Sequence, residues 1–166
     1  MHEITPFIWF QGMAEEAMNY YVETFQNSKI TYIERYTGDQ GIPGEKELKG
    51  KVLTGLFELN GQKFACLDGG PQFQPTGAIS LFIEFDTQEQ LDSVWDRLMD
   101  GGQPQQCGWI TDKFDVTWQI TPKIMGDMMS DPTATAEQKS ALMQAMMPMV
   151  KLEIAPLVAA FEAAKK

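Results

Sequence analysis

The sequence predicts an α+β fold: two modules of one strand, one helix and three strands, followed by a helical C-terminal segment. Three observations lead there. Short apolar runs with period-two alternation recur along residues 4–122, and each half of that span holds one stretch with apolar residues at helical spacing. The order of elements is the same in both halves, and past Pro122 helical spacing takes over.

The first module spans residues 1–75. Ile4 to Phe10 is rich in aromatic and branched residues and reads as a strand ending at the turn Gln11-Gly12. Ala14, Ala17, Met18, Tyr21 and Phe25 then share one helical face, with Glu15, Glu16, Asn19 and Glu23 opposite. Lys29 to Tyr36 reads as a strand whose alternation is clear at Ile30 and Tyr32 and less clean at Ile33. Thr37 to Gly50 is a long loop dense in glycine and charge, either decoration or a lid, with Glu45 to Glu47 read as solvated charge. Lys51 to Leu59 and Gln62 to Asp68 form a hairpin across Asn60-Gly61, the dipeptide best suited to a two-residue turn.

The second module spans 76–122. Ala78 to Phe85 reads as a strand, and Thr87 to Met99 as a helix burying Leu91, Val94, Trp95 and Leu98. Thr87 and Gln90 have the spacing of a capping box, and Gly101-Gly102 ends the helix. A short strand at Gln103 to Cys107 and the hairpin CGWITDKFDVTWQI complete the module. In the extension, 123–166, short helices are expected from Ile124 to Met129, Ala136 to Met147 and Lys151 to Ala164. Seven of the eleven methionines fall between Met125 and Met149; they are expected to fill a core or subunit interface rather than a promiscuous groove.

At 166 residues, 43% hydrophobic and 22% charged, the chain has the size and composition of one globular domain. Thirteen basic against 23 acidic residues, a formal net charge of −10, argue against nucleic acid and anionic membranes as partners. The N-terminal MHEITPFIWF carries no basic leader, and no run approaches the roughly 20 apolar residues of a membrane span, so a cytoplasmic location is expected. Cys66 and Cys107 are expected to be reduced, and neither has a neighbouring histidine to activate it.

Gln119 interrupts an otherwise apolar strand and either faces solvent or points into a pocket. Alternation puts Thr5, Phe7 and Trp9 on one side of the first strand. In the second module it turns Ile79, Leu81, Ile83 and Phe85 toward a helix, leaving Ser80, Phe82 and Glu84 on the other side. Cys66 and Asp68 share a face of FACLD.

The phrases TPFIWFQGMAEEAMNYY, FELNGQKFACLDGGPQF, AISLFIEF, CGWITDKFDVTWQITP and AMMPMVKLEIAPL resemble the PhnB-like family. That family, often labelled "3-demethylubiquinone-9 3-methyltransferase", belongs to the vicinal oxygen chelate superfamily, with the glyoxalase and bleomycin-resistance fold. The resemblance runs over nearly the whole chain, C-terminal helices included. It implies two βαβββ modules forming a curved mixed sheet around a cavity, and a homodimer.

Catalytic members of the superfamily hold a divalent metal with His, Glu or Gln on the first and last strands of each module. Here the implied positions fall at Thr5 or Pro6, near Glu84, and at Gln119, while the single histidine, His2, precedes the first strand and is expected to be solvated. Asp68, Glu84 and Gln119 make a poor metal set without imidazole, so no metal or other cofactor is expected. No glycine-rich strand-to-helix loop with a following acidic residue is present either, which speaks against methyl transfer.

The expectation is a metal-free small-molecule-binding protein whose ligand meets Thr5, Phe7, Trp9, Cys66, Asp68, Ser80, Phe82, Glu84, Trp109 and Gln119. The aromatics among them either line a pocket or fill it. The alternative is an enzyme of lyase, isomerase or dioxygenase type with Glu84 or Asp68 as base, with or without a weakly held divalent metal. A third reading makes the methionine-rich helices a docking scaffold.

Overall fold

The computed structural model describes residues 4–165, so the expectation for His2 lies outside the described residues. The chain divides into two compact units, Met1–Pro75 and Thr76–Lys166. Each contains a four-stranded mixed sheet whose first and last strands pair in parallel.

The first unit comprises β1 (Phe7–Phe10), α1 (Ala14–Thr24), β2 (Lys29–Arg35), α2 (Glu45–Leu48), β3 (Val52–Leu59) and β4 (Gln62–Asp68), in sheet order β1-β4-β3-β2. β1 starts later than the apolar run suggests: Pro6 has no N–H for the ladder, though its carbonyl still accepts from Ala65 N, and Ile4 is exposed. α1 buries Ala14, Ala17, Met18, Tyr20 and Tyr21. The blurred alternation in β2 has a physical cause, a register shift between Ile30 and Tyr32 opposite β3. Asn60 and Gly61 both have positive φ, 47° and 81°, as a twist-matched two-residue hairpin requires.

The loop after β2 corrects the reading of its acids. Glu45 is buried, and its carboxylate accepts from the backbone N–H groups of Gln40, Gly41 and Ile42 at 2.9–3.2 Å. It organises the loop instead of dissolving it.

The second unit comprises β5 (Leu81–Phe85), α3 (Gln88–Leu98), β6 (Gln103–Pro104), β7 (Trp109–Thr111), β8 (Thr117–Pro122), α4 (Lys123–Ser130), α5 (Ala136–Met146) and α6 (Ile154–Ala163), in sheet order β5-β8-β7-β6. The Thr87–Gln90 capping box forms, and Leu91, Val94, Trp95 and Leu98 are buried. β5 is shorter than expected, and Ile79, assigned to the helix-facing side, precedes the strand and is 81% exposed. In the extension, Met128, Leu142, Met146, Leu152, Leu157 and Phe161 form a core, with Cys107, Met125, Met129 and Met149 packed against it. Gln88 ties this extension to α3: its amide donates to Leu152 O and accepts from Ile154 N.

The β7–β8 connection turns on Asp112, 3% exposed. Its carboxylate accepts from Phe114 N at 2.8 Å, Val116 N at 3.1 Å and the Trp118 indole N–H at 2.8 Å. Replacing it leaves three buried donors without an acceptor, each costing about 1–3 kcal/mol. Asp112→Ala is therefore expected to lower unfolding free energy by about 3 kcal/mol or more; an unchanged urea midpoint would contradict this account of the turn.

Candidate functional site

Residues paired across strands point to the same side of a sheet, so register assigns every candidate to a face. In the second unit the register pairs Phe82 with Gln119 and Glu84 with Thr121 across β5 and β8, and Trp109 with Gln119 across β7 and β8. Phe82, Gln119 and Trp109 thus form one row across three strands. Trp118, Ile120 and Ile110 alternate to the other side and are buried there. The row's side is open: Phe82 is 57% exposed, and Glu84 is exposed beside it.

Gln119 is held, not loose. Its Nε2 donates to Ser80 Oγ at 2.6 Å. Thr111 and Thr117, paired in register, join hydroxyls at 3.2 Å on the same side. Glu84 is bounded by α4: a Cβ at Gly126 would lie 3.1 Å from Glu84 Oε1, tighter than ordinary contact. Ser80, Phe82, Glu84, Trp109 and Gln119 are therefore brought together. Thr117, Thr121 and Gly126 are neighbours not singled out as candidates from the sequence; the first two were visible as the alternation partners of Gln119.

In the first unit, Phe7 pairs with Ala65 and Trp9 with Leu67, on the side opposite α1. Phe7 is 61% exposed. Trp9 is fixed by the chain after β4: its indole N–H donates to Gly70 O at 2.7 Å and its ring meets Phe73 edge-on at 5.0 Å. Thr5 precedes β1 and is exposed.

Cys66 and Asp68 both face α1, on the side away from Phe7 and Trp9. Cys66 is fully buried beside Met18 and Gly55. Asp68 accepts from Gly12 N and, at 3.1 Å, from Ala14 N, supplying the anion that the unpaired N–H groups at the start of α1 require. Its backbone carbonyl accepts from the Tyr36 hydroxyl at 2.9 Å. Asp68 serves the architecture, each of its carboxylate oxygens accepting from a backbone N–H at the start of α1.

Two clefts lie elsewhere. One of about 280 Å³ is lined by Gln11, Tyr36, Lys51 and Asp68 among others, with Tyr36 and Asp68 already hydrogen-bonded as described. The other, about 580 Å³, lies between the starts of α3 and α6, where Lys151 pairs with Asp92 at 2.8 Å.

The superfamily's metal can be tested against these donors. Across β5 and β8 the open side offers one carboxylate, Glu84, and one amide, Gln119, already bonded to Ser80. Among the described residues no group of three His, Cys, Asp or Glu side chains converges. A transition-metal site needs three or four protein donors, mostly imidazole, thiolate or carboxylate, and this set does not fit.

Two mixed sheets with the same strand order, each built as βαβββ, define a glyoxalase-like fold of the vicinal oxygen chelate type. Comparison with known proteins narrows this. The chain belongs to the family described as 3-demethylubiquinone-9 3-methyltransferase, whose pattern matches residues 2–121. A solved structure described as a putative 3-demethylubiquinone-9 3-methyltransferase, PhnB protein, from Bacillus cereus is 38% identical, with TM-score 0.65 over 73% of this chain and 99% of that one. Protein PA1353 from Pseudomonas aeruginosa, 19% identical with TM-score 0.62 over 74% of this chain and 98% of that one, shares the fold. No curated protein matches. The family pattern ends at Thr121, before the C-terminal helices. Among the described residues no helix is long and apolar enough to cross a membrane.

Burial pushes the Cys66 thiol from its ordinary 9.0 up to about 11. The folded chain keeps that proton where the unfolded chain has lost it, so this group's contribution to stability declines as pH rises from 9.0 towards about 11. Iodoacetamide at pH 8 should label native protein at Cys107 at most, and label both thiols only in denaturant; mass spectrometry showing native Cys66 alkylated would refute the placement.

Proposed function

We propose that the chain is a small-molecule-binding protein that needs no metal, its ligand seated on the open face of the second unit's sheet. One observation carries the reading: the row Phe82, Gln119, Trp109, in which two aromatic side chains flank an amide locked by Ser80. Strands about 4.8 Å apart put the two aromatic residues roughly 10 Å from each other, room for one planar group over Gln119. Apolar walls around a few fixed polar groups are the usual makeup of a ligand site.

Methyl transfer, named in the family description, draws no support from these residues. β1 runs into α1 through Gln11-Gly12-Met13, a single glycine, and the start of α1 is already filled by the Asp68 carboxylate. A cofactor of nucleotide type would meet that negative charge.

Glu84 favours a second reading, an enzyme with that carboxylate as general base, because it is the ionisable side chain beside the row. The expected homodimer belongs to the proposal as well. It is supported by Phe7, Tyr32 and Leu56, large apolar side chains exposed on the first unit's sheet.

The test is native mass spectrometry of the purified chain after incubation with a metabolite mixture. A retained compound is expected, lost from Trp109→Ala and Gln119→Ala while circular dichroism stays unchanged; no retained compound would sink the binding reading. If the retained compound is turned over, Glu84→Gln decides the second reading, which fails if the rate is unaltered. Sedimentation equilibrium at micromolar concentration is expected to give twice the 18.7 kDa chain mass, and a monomer there would remove the dimer.

A further inference from the structure

We propose that the open face of the second unit selects neutral or cationic ligands that donate hydrogen bonds, and rejects anions. This rests on the binding reading above and names the chemical class of its ligand.

Charge is the first argument. Among the described residues, β5 to β8 contain no Lys or Arg, and Glu84 is their one ionisable side chain. Of the lysines flanking these strands, Lys113 lies over the Phe114 ring at 5.2 Å, and Lys123, directly after β8, pairs at 3.6 Å with Asp86, directly after β5. The formal net charge of −10 adds a long-range field of the same sign. An anion over Gln119 would meet the Glu84 carboxylate, and the strands themselves offer no cation to offset it. A cation would meet an acceptor.

Hydrogen-bond polarity is the second. Gln119 Nε2 donates one of its two N–H groups to Ser80 Oγ, and its Oε1 remains an acceptor. The Glu84 carboxylate beside the aromatic row only accepts, and it calls for N–H or O–H groups on the ligand.

Position is the third. Gly126 brings α4 close enough that a Cβ there would stand 3.1 Å from Glu84 Oε1. The carboxylate is thereby confined on its α4 side, so its charge stays with the row. Phe82 and Trp109 add ring faces, which attract cations and resist anions.

Three probes of one shape test the idea: benzamidinium, benzamide and benzoate, titrated at matched ionic strength while the indole N–H signals are followed by NMR. Benzamidinium is expected to shift the Trp109 signal at the lowest concentration, benzamide next, and benzoate only at concentrations about tenfold higher than benzamidinium or not at all. Glu84→Gln should erase the advantage of benzamidinium over benzamide, and Glu84→Lys should favour benzoate. Equal binding of benzoate and benzamidinium at Trp109 would overturn the charge selection and leave the binding reading standing. No Trp109 shift with any probe would overturn both.

Discussion

Each unit depends on one topological constraint, the parallel pairing of its first strand with its last. Parallel neighbours cannot be joined by a tight turn, so the chain must leave the sheet and return, and in both units a helix begins that excursion. In the first unit α1 covers the side carrying Phe10, Phe57, Phe64 and Cys66, with Tyr21 stacked on Phe57. In the second, Ile110, Trp118 and Ile120 are buried on one side of the sheet. With the buried side assigned, period two decides the opposite one, and the register Phe82–Gln119–Trp109 follows without further instruction.

Acidic residues hold the irregular parts of this framework. Asp68 satisfies the start of α1, Asp112 gathers the β7–β8 turn, and Glu45 gathers the loop after β2. Each accepts from backbone N–H groups that no helix or ladder partner serves, so each offsets a desolvation cost comparable with its own burial. Reading these carboxylates as ligands or as solvated charge misses that they are the acceptors local backbone demands. Glu84 differs: it stands on the open side and accepts from no backbone group among the described residues.

Alternation made the site partly legible in the sequence. It put Ser80, Phe82 and Glu84 on one side of their strand, opposite Leu81 and Ile83, whereas Gln119 could face solvent or a pocket on pattern alone and was matched to a ligand position only through the family resemblance. FACLD offers no such contrast: Phe64, Cys66 and Asp68 alternate with Ala65 and Leu67, and either set could face a helix. The deciding fact is long-range, the approach of Met18 to Gly55 and Cys66, which no local pattern contains. Glu45 was misread for a related reason, since its partners at 40–42 are backbone groups that carry no sequence signature. The capping box at Thr87 and the Asn60-Gly61 turn were legible because their chemistry is complete within four residues.

The C-terminal segment adds a wall beside the second unit's sheet. It lies beyond the family pattern, yet it is joined to the second unit by Gln88, by Cys107 N to Met149 O at 2.7 Å and by Gly108 N to Val150 O at 2.8 Å. Through Gly126 it also borders Glu84, among the described residues the one ionisable side chain within strands β5 to β8. A relative without this segment could keep every strand of the sheet and still set an acid at the Glu84 position differently. Ligand preference therefore need not follow the strands that define the family, and the fold can stay constant while the wall beside Glu84 changes.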